Sequence, residues 1–275
     1  MSLRWKPIRV FTFMVSIGML SLSWGSLGLV TPSGAAPRDV SPLELLMTPL
    51  PPVKLPNYRT SGTYPQVSSD KVDVTAVNAA LRGAVLTAQR QYEQYVRRRW
   101  IPEIPDVFRP AYRYTGEYTA QPKLGLISAS TVVVSALIPL RRRLPGGTGG
   151  ETWLSTTVHV PSGSRVGLRD LFAEPSRGLR ALAMVARRNL LSTNSCIGAS
   201  ARNPVYARGF APTVANYDHY ALTTTGLVVG FWQEQVGAPT CGSVIARVPY
   251  SALRPHFSAL GKRLIAGVRR PQVKR

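Results

Sequence analysis

Between Asp73 and Trp100, Val74, Val77, Leu81, Val85, Tyr92 and Tyr95 recur mainly at intervals of three and four. This spacing predicts one long amphipathic helix that begins near an Asp73 cap. Arg97, Arg98 and Arg99 fall in its last turn, where cations complement the helix dipole. Beyond Pro110 the period becomes two. Tyr112, Tyr114 and Tyr118 alternate within residues 111–119, and residues 125–137 are rich in β-branched side chains, so each stretch predicts a strand. The glycine-rich run 145–150 predicts a hairpin connection to a returning strand at 152–160.

The C-terminal half reads in the same way. Pro161-Ser162-Gly163 predicts a turn, residues 168–172 a short bend, and Ser176 the cap of a helix reaching about residue 191. A loop holding Cys196 follows. Strands are expected at 217–222 and 227–232 around Thr223-Thr224-Thr225-Gly226, with Gly226 supplying a positive φ. A last strand at 243–248 ends at Pro249, and Ser251 is expected to cap a helix over 251–265. Strands joined by hairpins and interrupted by single helices give an α+β class: an antiparallel sheet with the long N-terminal helix and further helices packed on it. The expected boundaries are a domain over 58–265, a proline-rich spacer over 36–57 and a basic tail over 266–275.

The first residues bear on location. Arg4, Lys6 and Arg9 precede 21 residues without a charge, Val10 to Val30, and then come Pro32, Ser33, Gly34, Ala35 and Ala36. A basic, an apolar and a small-residue region in that order predict an export signal over 1–35, cut after Ala35. The alternative is an uncleaved membrane tether through Val10 to Val30. Either way the positive-inside rule leaves the body of the chain outside the cytoplasm, secreted or held at the outer face of the membrane. The two cysteines, Cys196 and Cys241, are expected to pair there, closing a 45-residue loop. In the chain-entropy picture this stabilises by roughly 4 kcal/mol.

The net charge is +21, from 34 basic and 13 acidic residues. Arg4, Lys6 and Arg9 supply the charge of the first 35 residues, which leaves +18 on the remainder. Such a surface attracts polyanions in a salt-sensitive way, so a polyanionic wall polymer or an anionic lipid surface suits it. Nucleic acid is not the partner expected of an exported chain.

Residues 210–253 carry the strongest family pattern: Tyr217-Asp218-His219-Tyr220-Ala221-Leu222, Gly226-Leu227-Val228-Val229-Gly230-Phe231, Val236-Gly237-Ala238-Pro239, Gly242 and Val248-Pro249-Tyr250-Ser251-Ala252-Leu253. With Tyr64-Pro65-Gln66-Val67, Val77-Asn78 and Val166-Gly167-Leu168-Arg169-Asp170-Leu171-Phe172, the pattern spans roughly residues 58–262. It resembles the domain of unknown function shared by the ectodomain of the lysozyme-sensing anti-sigma factor RsiV and the mycobacterial secreted immunogenic protein family. The resemblance implies an extracytoplasmic binding or sensing module. The anti-sigma role is not expected of it, because only nine residues precede the apolar run. Nor does it favour lysozyme, a basic protein that a domain of charge +18 would repel.

No Gly-x-Ser-x-Gly elbow, His-Glu-x-x-His helix or phosphate-binding glycine loop occurs. His159, His219 and His256 are scattered, so neither a metal nor another cofactor is expected. Asp218 and His219 are adjacent, but neighbours on a strand point to opposite faces. Glu103, Glu117, Glu151 and Glu234 are the carboxylates that a wall-directed hydrolase would draw on. The primary expectation is a non-catalytic domain that binds an envelope component or an extracellular protein. Of Trp153, Phe231 and Trp232, two are expected in the core. Tyr220 and Trp232 are the candidate binding surface.

Overall fold

The computed structural model describes residues 43–55, 58–100, 116–120, 125–144, 149–269 and 273–274. The export segment, Glu103, Tyr112, Tyr114 and most of the glycine-rich connection lie outside them.

The framework is a long hairpin of β6 (Val133–Arg143) and β7 (Gly149–His159), paired in register from Val133↔His159 to Arg143↔Gly149. One edge of β6 is shared end to end. β5 (Leu126–Ala129) covers it from Val134 to Leu137, and β4 (Gly116–Ala120) covers it from Leu140 to Arg143. β2 (Tyr58–Ser61) adds to β4 in parallel, and β8 (Ser164–Arg165) adds to β7 at His159 and Val158. The expected single strand over 125–137 is therefore two. The Ser130 hydroxyl accepts the N–H groups of Val132 and Val133 and stabilises the turn between them.

Alternation decides what each face meets. Val134, Ala136, Ile138 and Leu140 of β6, with Leu154 and Val158 of β7, enter the clusters that hold α1 (Thr75–Tyr95). The other parity, Val133 and Leu137 with Trp153, meets a second sheet of β9 (Tyr220–Leu222), β10 (Gly226–Phe231) and β11 (Val244–Pro249). Covered on both faces, β6 opens with a nearly continuous apolar run, Val133 to Leu140, in which only Ser135 is polar. Behind β11 lie α2 (Pro175–Thr193) and the short α3 (Ser195–Ser200); the exposed turn α4 (Pro204–Ala207) follows, and α5 (Val214–Tyr217), α6 (Tyr250–Leu253) and α7 (Ala259–Arg269) complete the largest core cluster.

The class is α+β, as the sequence predicts, but a single antiparallel sheet is not what forms. The described strands make three sheets, two of which contain a parallel pair. The third consists of β12 (Val273–Lys274), β1 (Leu43–Pro49) and β3 (Thr63–Ser68). It corrects two expectations, because the spacer over 36–57 contains β1 and the basic tail contains β12. The physical reason is burial: Leu43, Leu50, Val53 and Leu55 are all in the core. Beyond β1, α1 clamps the chain, with Gln89 Nε2 donating to the Pro51 carbonyl at 2.7 Å and the Lys54 N–H donating to Glu93 Oε1 at 2.9 Å.

Helix limits shift for local reasons. Asp73 Oδ1 accepts the Thr75 N–H at 2.9 Å, which holds its carboxyl below the ordinary range, although the capping position itself is Val74. The α-helix ends at Tyr95, so Arg97 lies in the π-helical turn Val96–Trp100. Glu174, not Ser176, precedes α2, and Pro175 opens its first turn. Cys196 sits in α3, whose cap is Asn194, rather than in a loop. Pro255 and a Ser258 hydroxyl that accepts the Gly261 N–H split the expected helix over 251–265 into α6 and α7, and Pro249 precedes α6 in place of Ser251. Gly226 does not have a positive φ. A Cβ there would stand 2.5 Å from the Val248 carbonyl oxygen, so close strand approach is what excludes a side chain.

Cys196 and Cys241 form the expected disulfide, with Cα atoms 5.7 Å apart across 45 residues. It ties α3 to the 3-10 turn ahead of β11. Among the described residues no helix is long and apolar enough to cross a membrane.

Candidate binding cleft

A cleft of about 670 Å³ opens where the C-terminal half of α1 passes the end of the β6–β7 hairpin. Its helix wall is built from Tyr92 and Tyr95, one turn apart on α1. Tyr92 is buried and stacked at a tilt on Tyr118, with ring centroids 5.5 Å apart, while the Tyr58 ring meets it edge-on. Burial raises the Tyr92 hydroxyl above its ordinary pKa, so it is a neutral hydrogen-bonding group. Tyr95 is 51% exposed and presents its ring to solvent.

The facing wall comes from the second sheet. Trp232, directly after β10, is 38% exposed and meets the His219 ring edge-to-face at 6.4 Å. Beneath them Trp153 is buried, and its Nε1–H donates to the Phe231 carbonyl at 3.0 Å. A Cβ on Gly230 would lie 2.5 Å from the Trp153 ring, so a glycine at 230 permits this contact. His219 is half-buried. Its Nδ1 lies 3.5 Å from Ser155 Oγ, and desolvation, reinforced by the Arg142 charge, holds its pKa below the ordinary 6.5 against the opposing pull of Asp218. The imidazole is therefore neutral at pH 7.

Arg142 supplies the cleft's charge. Its guanidinium stands 5.4 Å from the Tyr92 ring centroid, a cation–π arrangement that holds it at the mouth of the cleft. No carboxylate belongs to the described lining. Gly150 lines the floor where a Cβ would meet only open space.

The structure separates the two candidate surface residues. Trp232 lines the cleft. Tyr220 does not: it is 4% exposed in the largest core cluster, and its hydroxyl donates to the Val166 carbonyl at 2.7 Å. Its predicted role on a surface is therefore corrected, since β9 turns all three of its residues inward. Trp153 and Phe231 are buried and Trp232 is not, so two of the three aromatics are core. Asp218 and His219 precede β9 in an irregular stretch, not on a strand. Glu151 accepts a hydrogen bond from Ser243 at 2.9 Å, and Glu234 sits in a tight turn with φ 72°. Among the described residues no group of three or more His, Cys, Asp or Glu could hold a metal ion. Sequence reasoning missed Tyr95 and Arg142. The exposed end of an otherwise buried helical stripe was the available signal for Tyr95.

No family model and no curated protein matches the sequence at a significant level. Solved structures do match. A DUF3298 family protein from Bacteroides fragilis aligns over 83% of this chain and 98% of its own, at 12% identity and a TM-score of 0.53. A DUF3298 family protein from Pseudomonas aeruginosa aligns over 81% of this chain and 96% of its own, at 12% identity and a TM-score of 0.48. The first likeness shows that the chain shares the fold of an uncharacterised domain.

Proposed function

We propose that this chain is an exported, non-catalytic binding domain that works in the cell envelope or outside the cell and holds its ligand in the cleft between Tyr95 and Trp232. The observation that carries the reading is the lining: aromatic rings on both walls, one arginine, one neutral histidine and no described carboxylate. Glycoside hydrolysis needs a pair of carboxyl groups astride the bond, whereas a concave aromatic surface with a few polar groups is what a binding site needs. Export is supported by the Cys196–Cys241 disulfide, which persists in oxidising compartments, and by the uncharged segment that follows Arg9. The resemblance to the RsiV ectodomain and to the mycobacterial secreted immunogenic family points the same way. The excess positive charge adds salt-sensitive adhesion to acidic wall polymers or anionic lipid surfaces.

The competing reading is a wall-directed hydrolase. Incubation of the protein with isolated cell walls at low and high salt separates the two. Retention without released fragments supports binding, and a fall in retention with Trp232→Ala locates it in the cleft. Release of soluble wall fragments overturns the proposal.

A further inference from the structure

The floor of the cleft carries a feature that ring stacking does not use. Along β7, hydrogen-bonding sides alternate. Glu151 turns its main chain away from β6, where its N–H donates to Gln233 Oε1 at 3.2 Å and its carbonyl accepts the Gln233 N–H at 3.0 Å. Six residues later the Thr157 carbonyl accepts the Val166 N–H at 2.8 Å on the same side. The two-residue period of an antiparallel ladder turns Trp153 and Ser155 the same way. In agreement, Trp153 stands opposite Pro139, which has no N–H to exchange with it. Among the described residues, no hydrogen bond reaches the outward N–H and C=O of Trp153 or Ser155. Trp153 lines the cleft, and Ser155, the next residue of the same edge, carries its hydroxyl 3.5 Å from the Nδ1 of the lining residue His219.

We infer that the cleft takes an extended, acidic polypeptide segment of a partner protein, which pairs with Trp153 and Ser155 as an added strand. The repeating N–H and C=O pattern is complementary to another backbone, and two edge residues match a segment of about five residues. Aromatic rings on both walls clasp its alternate side chains. The acidic character follows from Arg142, which faces the cleft with no carboxylate in the described lining. Proteins usually cover or blunt such edges, so one left open inside an aromatic cleft fits a docking site. The inference rests on the cleft-binding reading and names its ligand class.

The test uses heptapeptides selected from a displayed random library against the full exported chain. The leading sequence is then synthesised plain and with N-methyl groups on alternate residues. Ser155→Pro is the matching protein variant, because its N–H serves no bond within the sheet and an edge position tolerates proline. Enriched acidic sequences are expected, with a loss of at least about tenfold in affinity on N-methylation or with Ser155→Pro. Amide exchange at Trp153 and Ser155 should slow when the plain peptide binds, a readout that stands even if Ser155→Pro fails to fold. Failure to enrich any peptide, or affinity and exchange indifferent to N-methylation, overturns strand pairing. If Trp232→Ala still abolishes binding of a peptide indifferent to N-methylation, or of cell walls where no peptide is enriched, the cleft reading survives alone; if it does not, both fall. A wild-type dimer that Ser155→Pro dissociates would show that a second copy occupies the edge, which also overturns the inference.

Discussion

The indole N–H of Trp153 reaches across two sheets to the carbonyl of Phe231, 78 residues further along the chain and 3.0 Å away. This bond and the bare Cα of Gly230 under the indole set where Trp232 emerges, so one wall of the cleft depends on a core contact. Gly230→Ala forces a methyl group against a packed ring, at a cost of about 1–3 kcal/mol. Thermal unfolding should register this as a fall of about 2–4 °C for each kcal/mol. An unchanged melting temperature would mean that the two sheets do not meet as described.

The disulfide offers a second check. Closing a 45-residue loop, it should contribute roughly 4 kcal/mol, so the double variant Cys196→Ser with Cys241→Ser should unfold at a clearly lower urea concentration. A midpoint equal to that of the wild type would remove the disulfide from the stability account.

His219 links stability to pH. Burial lowers its folded-state pKa, so below the ordinary value of 6.5 the unfolded chain takes up a proton that the folded chain resists. Its contribution is complete above that value and is lost as pH falls through it towards the folded-state pKa. Urea midpoints at pH 7.5 and pH 5 should differ more in the wild type than in His219→Gln. Equal differences would place the titration elsewhere.

Tyr220 and Trp232 should part company under mutation. Tyr220→Phe strands the Val166 carbonyl and should cost about 1 kcal/mol of stability without altering ligand retention. Trp232→Ala, at an exposed ring, should leave the melting temperature nearly unchanged and remove retention. Paired melting and cell-wall retention measurements on both variants check this, and loss of retention in Tyr220→Phe would reverse the assignment.

These outcomes also mark what was legible in the sequence. The three-and-four spacing from Val77 to Tyr92 specified α1 because one face of it packs on strands, and the turn signal Thr223-Thr224-Thr225-Gly226 located β9 and β10 on either side of it. Prolines misled at β1, where Pro49 and Pro65 sit within paired strands while the leucines nearby carry the burial. Conversely, Pro255 falls inside the helix expected over 251–265 and divides α6 from α7. The cleft was the least legible part. Tyr95, Arg142, His219 and Trp232 come from α1, β6 and the flanks of β9 and β10, and their meeting depends on how two sheets cross. No periodicity within a short window encodes that crossing.

The most direct measurement follows the tryptophan indoles by NMR in protein labelled at tryptophan. The titrant is envelope material that immobilised wild-type protein retains and high salt releases. The account predicts that the Trp232 indole signal shifts in a saturable way, with Tyr95→Ala weakening the response. A Trp232 signal that stays fixed while the material still binds would contradict it.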